Sequence, residues 1–117
     1  MKKDNSIFLK HILEAINNIE DYVKNISSSE DFVNNKIIRD AVLRNFQVIG
    51  EAANNLDEEF IASNPEVEWE KVIGMRNFII HEYFGVDLKI VWDTIKEDIP
   101  SFKENIKKLL EKLTLIV

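Results

Sequence analysis

Apolar residues recur at spacings of three and four along nearly the whole chain, and the breaks between these stretches divide it into helices. The first stretch, about Asp4 to Ile26, carries Ile12, Ile16, Ile19, Val23 and Ile26 in one stripe, with Phe8 extending it backward. That is one face of an amphipathic helix. The run Ser27-Ser28-Ser29 ends it, and its hydroxyls can cap whatever begins at Glu30-Asp31. The second stretch, about Asn35 to Leu56, sets Ile38, Val42, Ile49, Ala53 and Leu56 on one face, with Phe46 beside them. Asp40, Arg44, Gln47 and Glu51 are spaced four, three and four, which makes a polar stripe on another face. A short acidic helix around Asp57 to Ala62 stops at Asn64-Pro65, because a residue before proline is driven away from helical backbone. The third long stretch opens near Glu68-Trp69, carries Val72, Ile73, Phe78, Ile79 and Ile80, and ends at Phe84-Gly85, where Gly85 suits a left-handed C-terminal cap. Asp87 is a natural N-cap for the final stretch, Leu88 to about Leu115, in which a bend is expected at Pro100.

No segment alternates with the period of a strand and none repeats, so the pattern predicts an all-α bundle. Gly50 and Gly74 fall inside helical stretches, where glycine costs roughly 1 kcal/mol relative to alanine. The favoured reading is a close helix crossing at each, supporting the segment that follows Gly74; the alternative is a tolerated defect.

Length and composition narrow the class. The 117 residues suit a single domain, 1–117, and the 45% hydrophobic and 31% charged content is that of a soluble globular protein. No apolar run reaches membrane-spanning length, and the N-terminal residues lack an uninterrupted apolar core and a small-residue cleavage site. Cysteine is absent, which excludes disulfides and thiol chemistry. A cytoplasmic location without membrane attachment is the expectation.

The net charge of −6 argues against an extended basic surface tracking a nucleic-acid backbone, since such binding is largely phosphate neutralisation, but leaves room for a small local site. Glu51 to Glu70 holds seven acidic residues and no basic one. Such a run is ordinarily a solvated face; the alternative is a docking surface for a basic partner.

The chemistry concentrates in 76-RNFIIHEYF-84, which holds one of two histidines and one of three arginines. Arg76 and Tyr83 are seven apart and share a helical face, as do Asn77 and His81 at four apart. Arg76 and His81 lie about 140° apart on a regular helix, so they converge only through the reach of the arginine or a loosened turn. A histidine can accept or donate a proton near neutral pH, and an arginine holds phosphate permanently. The pair suits phosphoryl transfer without a metal, and RNA cleavage by its own 2′-hydroxyl needs little more than a charge stabiliser with an acid and a base. One chain offers one suitable histidine; a two-fold dimer supplies two across a shared cleft. Spacing alone leaves a structural role open, with His81 in a helical core and Arg76 paired to Glu82, Glu51 or Asp87. No metal site is expected, because His11 and His81 lack ligand-spaced partners, and His11 reads as a surface residue of the first helix.

Arg76, four residues, His81, Glu82 and Tyr83 together match an R-x4-H-x-Y signature, and with it the chain resembles the HEPN domains of HepT-like toxins. Asn77 after the arginine is usual there. The segments 40-DAVLRNFQVIGEAANNL-56 and 69-WEKVIGMRNFIIHEYFGVDLKIVWDTIKEDIP-100 carry the likeness over most of the chain. The resemblance implies a four- to five-helix up-and-down bundle, HEPN-like and homodimeric, with Arg76 and His81 of both subunits lining the cleft. It implies the toxin of a type VII-like toxin–antitoxin pair, a metal-independent endoribonuclease that requires no cofactor. The implied partner is an MntA-type nucleotidyltransferase antitoxin, which neutralises such a toxin by attaching AMP to the motif tyrosine, here Tyr83. Asn77, Arg44 and Glu51 are candidate substrate-orienting or supporting groups, with purely structural roles as the alternative. The competing functional reading is a non-catalytic HEPN module, a nucleotide-binding adaptor for the transferase; the acidic charge leans toward it and the intact arginine–histidine pair toward the nuclease.

Overall fold

Seven helical segments follow one another in the computed structural model, which describes residues 4–81 and 87–115, with the side chains of all of these except 76–81 and 115. They are α1 (Asn5–Val23), α2 (Ser29–Asn34), α3 (Lys36–Asn54), α4 (Glu58–Ser63), α5 (Trp69–His81), α6 (Leu88–Glu97) and α7 (Ile99–Leu115). No strand occurs among the described residues. Five of the segments run ten residues or more, and α2 and α4 are single short turns of six. The predicted all-α architecture is therefore present, with seven segments among the described residues where four to five helices were expected; the short acidic helix expected after Asp57 is α4, and α2 is an addition.

Local chemistry explains the boundaries. Asp4 accepts from the Ser6 amide at 3.1 Å, Ser28 from Asp31 at 3.1 Å and Asn35 from Ile38 at 3.1 Å, so α1, α2 and α3 each begin on a side-chain cap. The serine run thus caps a helix, α2, that the apolar spacing was too short to reveal. Asp87 caps α6 as expected, accepting from the Lys89 and Ile90 amides. Asp57 occupies the N-cap position of α4 but makes no capping bond. Instead its amide donates to Asn5 Oδ1 at 3.0 Å and its carboxylate accepts from Asn5 Nδ2 at 3.4 Å, which ties the start of α1 to the end of the α3–α4 connection.

The expected bend at Pro100 is a full break. α6 ends at Glu97, Asp98 is its C-cap, and α7 starts at Ile99. Proline at the second position of α7 has no amide to offer Lys96, and its ring would clash with that residue's carbonyl, so one continuous helix is not available.

α1 and α3 form the centre of the bundle and run antiparallel, since Asn5 meets Asp57 while Asn18 donates to Asn45 at 3.2 Å. α5 packs on α3, α7 on α1, and α6 on α2 and α7. Leu9, Ile12, Ile16 and Ile19 of α1, Phe32 of α2, Val42 and Ala53 of α3 and Ile106 of α7 are almost wholly excluded from solvent. At about 1.5–3 kcal/mol for each large buried side chain, this shared core, not helix propensity, holds the short helices in place. Phe32 meets Trp92 with ring centres 5.6 Å apart, which fixes α2 on α6. Lys103 of α7 reaches Glu20 of α1 at 2.7 Å, a half-buried ion pair on the flank of the core. No helix among the described residues is long and apolar enough to cross a membrane.

The two glycines have different surroundings. Gly50 is buried on α3. Gly74 is exposed, and a Cβ added there meets no atom within 4 Å, so the described residues show no close crossing at this position.

Candidate active site

α5 is the element that carries the motif, and its first turn is firmly held. The Trp69 indole donates to the Asn64 carbonyl at 3.0 Å, and Asn64 Nδ2 donates to the Phe60 carbonyl at 2.8 Å. Asn64 is the one buried polar residue among those described, and these bonds engage its side-chain amide nitrogen and its backbone carbonyl. The Phe60 ring lies 6.3 Å from that of Trp69, so the α4–α5 connection forms a small aromatic anchor. The Lys71 and Val72 amides bond back to the Glu68 carbonyl and start the helix. Sequence reading treated Trp69 only as the start of a helix; its buried indole is what sets the position of α5.

From that anchor the helix continues to His81. Arg76, Asn77 and His81 therefore lie on its last two turns, on the element that packs against α3. Five residues at about 1.5 Å each separate Arg76 and His81 by roughly 7.5 Å along the axis. In helical register His81 follows seven residues after the exposed Gly74, and Arg76 four after the half-buried Val72. On a regular helix five residues set the two about 140° apart around the axis. Tyr83 and the expected glycine cap Gly85 lie outside the described residues, and with them the shared face of Arg76 and Tyr83.

Arg44 and Glu51 sit on α3, both exposed, seven residues apart on one face. Neither side chain has an ion-pair or hydrogen-bond partner among the described residues. The rest of the polar stripe is more enclosed: Asp40 and Gln47 are half-buried, and Asp40 lies 3.3 Å from Lys36 Nζ and 3.9 Å from Arg39 Nε. The packing of α3 against α5 brings the helix bearing Arg44 and Glu51 beside the helix bearing the motif. An exposed guanidinium without an internal partner is suited to hold a phosphate from solution. His11 is exposed on α1, its ring edge-on to Phe8 at 6.5 Å, which is the surface role expected of it. Among the described residues no group of three or more His, Asp or Glu side chains is placed to hold a metal ion.

The described residues form an all-helical bundle whose fifth helix carries the arginine and histidine of the motif near its end and packs against the helix that bears Arg44. The chain belongs to the HepT-like family: the profile described as "Ribonuclease HepT-like" matches residues 12–109, which include the whole motif. Among its relatives is "Gamma-glutamylcyclotransferase and putative RNase MJ0434" of Methanocaldococcus jannaschii, 44% identical over 113 residues, or 97% of this chain. The chain spans about half the length of that relative, 50%. "Putative RNase MJ1380" of the same organism is 41% identical over 91% of this chain and 96% of its own length. "Probable ribonuclease HepT" of Thermococcus cleftensis is 42% identical over 93% of this chain and 98% of its own. No solved structure matches the chain.

Proposed function

We propose that this protein is an endoribonuclease that cleaves RNA without a metal ion, acting as the toxin of a toxin–antitoxin pair. The observation that carries this reading is the family match across residues 12–109, with Arg76, His81 and Tyr83 all inside it in the R-x4-H-x-Y order. The relatives named as ribonucleases at 41–42% identity over nearly their full lengths support the same activity.

In the proposed reaction the 2′-oxygen of a ribose attacks the adjacent phosphorus while a neutral His81 takes the hydroxyl proton. The phosphorane that forms carries extra negative charge on its non-bridging oxygens, which Arg76 stabilises more strongly than it does the ground-state diester. The bond from phosphorus to the 5′-oxygen then breaks, and the leaving oxygen takes a proton from the protonated partner subunit's His81. The products are a 2′,3′-cyclic phosphate and a free 5′-hydroxyl. A homodimer is proposed because base and acid must be present together and the motif supplies one histidine per chain. Arg44, exposed on α3 and without a partner among the described residues, is the proposed second phosphate contact, with Asn77 and Glu51 orienting the substrate.

Neutralisation is proposed to come from an MntA-type nucleotidyltransferase that attaches AMP to Tyr83. A phosphodiester and an adenosine two residues from His81 would oppose incoming RNA phosphate by charge and by bulk. The test of the whole reading is incubation of RNA with purified protein in excess EDTA. Cleavage should persist and leave 2′,3′-cyclic phosphate or 3′-phosphate ends; activity lost in EDTA and regained with magnesium would require another chemistry. No cleavage by protein that still binds the transferase would favour the non-catalytic adaptor.

A further inference from the structure

A groove remains on the side of the bundle where α5 approaches α6 and α7, with a volume of about 360 Å³. Its floor is apolar: Phe46 and Ile49 of α3, Val72 and Met75 of α5, Ile99 and Phe102 at the start of α7. Three of these, Val72, Met75 and Phe102, are only half-buried, so the floor presents apolar surface to whatever enters. Among the described residues the rim carries Glu66, Glu68 and Asp98, all exposed, against a single cation, Lys71. Lys71 is not free to balance them, because its ammonium already lies 2.7 Å from Glu68. The pairing raises the Lys71 pKa, through the Glu68 hydrogen bond and charge first and through Asp98 at longer range.

The groove does not end at this rim. A second depression of about 370 Å³ shares Val67, Glu68 and Lys71 with it and adds Ile61, Pro65 and Trp69, with Glu70 beside them. The two form one trough along the α4–α5 connection, apolar at the bottom and edged by four carboxylates. A nucleic acid is a poor occupant, since its phosphates would meet those carboxylates. A small apolar ligand would leave the charged rim unused. A peptide segment with apolar anchors and flanking lysines or arginines satisfies both features, and Met75 in the floor gives an adaptable surface for such anchors.

We infer that this trough is a docking site for a basic, amphipathic segment of a protein partner. The trough is built from described residues of α3, α5, α7 and the α4–α5 connection, and it does not rest on the nuclease reading. The seven acidic residues between Glu51 and Glu70 thereby acquire a use for three of their number, Glu66, Glu68 and Glu70, that a solvated face would not require. Met75, a groove residue on α5, directly precedes Arg76 in the chain, so a partner seated here lies against the motif helix.

Methyl-resolved NMR titration of the full chain tests this. The probe is a synthetic helical peptide of about 16 residues, with leucines at spacings of three and four and lysines between them. The shifts should concentrate on Val67, Val72, Met75 and Ile99 and leave Ile7 and Ile37 unmoved, and binding should weaken as salt is raised. Glu66→Lys with Glu68→Lys should weaken it about tenfold, whereas Glu14→Lys with Asp21→Lys, the same change in net charge on α1, should not. Four results overturn the inference. They are equal loss in both double variants, equal binding of the peptide with glutamates in place of lysines, the same methyls moved by a short single-stranded RNA, and no shift up to about millimolar peptide. Movement of the groove methyls with protein concentration alone would also overturn it, by making the occupant a second copy of this chain.

Discussion

Arg76 and His81 lie five residues apart on one helix, and the proposed chemistry divides between them. Arg76→Ala removes the group that stabilises the phosphorane and His81→Ala the proton carrier, so each should lower RNA cleavage by at least about 100-fold and abolish growth arrest on expression. Lys108→Ala, at an exposed position on α7, should leave both unchanged. A folded His81→Ala variant that remains fully toxic would remove histidine from the mechanism. Tyr83 has a separate role. Tyr83→Phe keeps the ring and should retain most of the toxicity, yet gain no AMP-sized mass on incubation with the transferase and ATP. Tyr22, the other tyrosine, is exposed on α1, so it is accessible as a competing acceptor. Mass increments that survive in Tyr83→Phe and vanish in Tyr22→Phe would transfer the modification to α1.

Among the helices, α5 differs from the rest in how it is held. α1 and α3 each bury one stripe on the shared core, but the sequence of α5 from Val72 to Ile80 is apolar on more than one side, while its principal contact is with α3. Its position comes from its first turn, through the Trp69 indole and Asn64. Gly74 then weakens the middle of the helix without serving a close contact among the described residues. Gly74→Ala places a methyl in open space and reduces the freedom of the unfolded chain, so it should stabilise the protein by about 0.5–1 kcal/mol in urea unfolding. A loss of stability, with the helix content intact, would mean that a second molecule packs closely at this position.

For the whole molecule the decisive quantity is the number of chains in the active unit. One bundle supplies one His81, and the cleavage scheme requires a base and an acid at the same moment. Light scattering at micromolar concentration should therefore give twice the mass of the 117-residue chain. Mixing active protein with inactive His81→Ala provides the sharper form of the test. If the two subunits share the cleft, each heterodimer holds a single His81, so activity should fall further than dilution alone accounts for. A monomer that cleaves RNA at full rate would remove the shared cleft from the proposal.

The sequence by itself determined the helical class, most helix boundaries and the core stripes of α1 and α3. These depend on local rules: a 3.6-residue period, side-chain caps at Ser28, Asn35 and Asp87, and a proline that cannot donate. The candidate motif was equally legible, because Arg76, His81 and Tyr83 lie within eight consecutive residues and their identity needs no folding to be read. Tertiary structure alone decided the rest. That α2 is a helix depends on Phe32 finding Trp92, sixty positions away in the chain, since six residues cannot hold a helix by themselves. That Gly74 marks no close crossing among the described residues depends on what stands opposite it, which no property of glycine reveals. The acidic trough has the same origin. Its apolar floor comes from α3, α5 and α7 and its rim from two separate connections, and only the packing of distant segments brings that charge and that surface together.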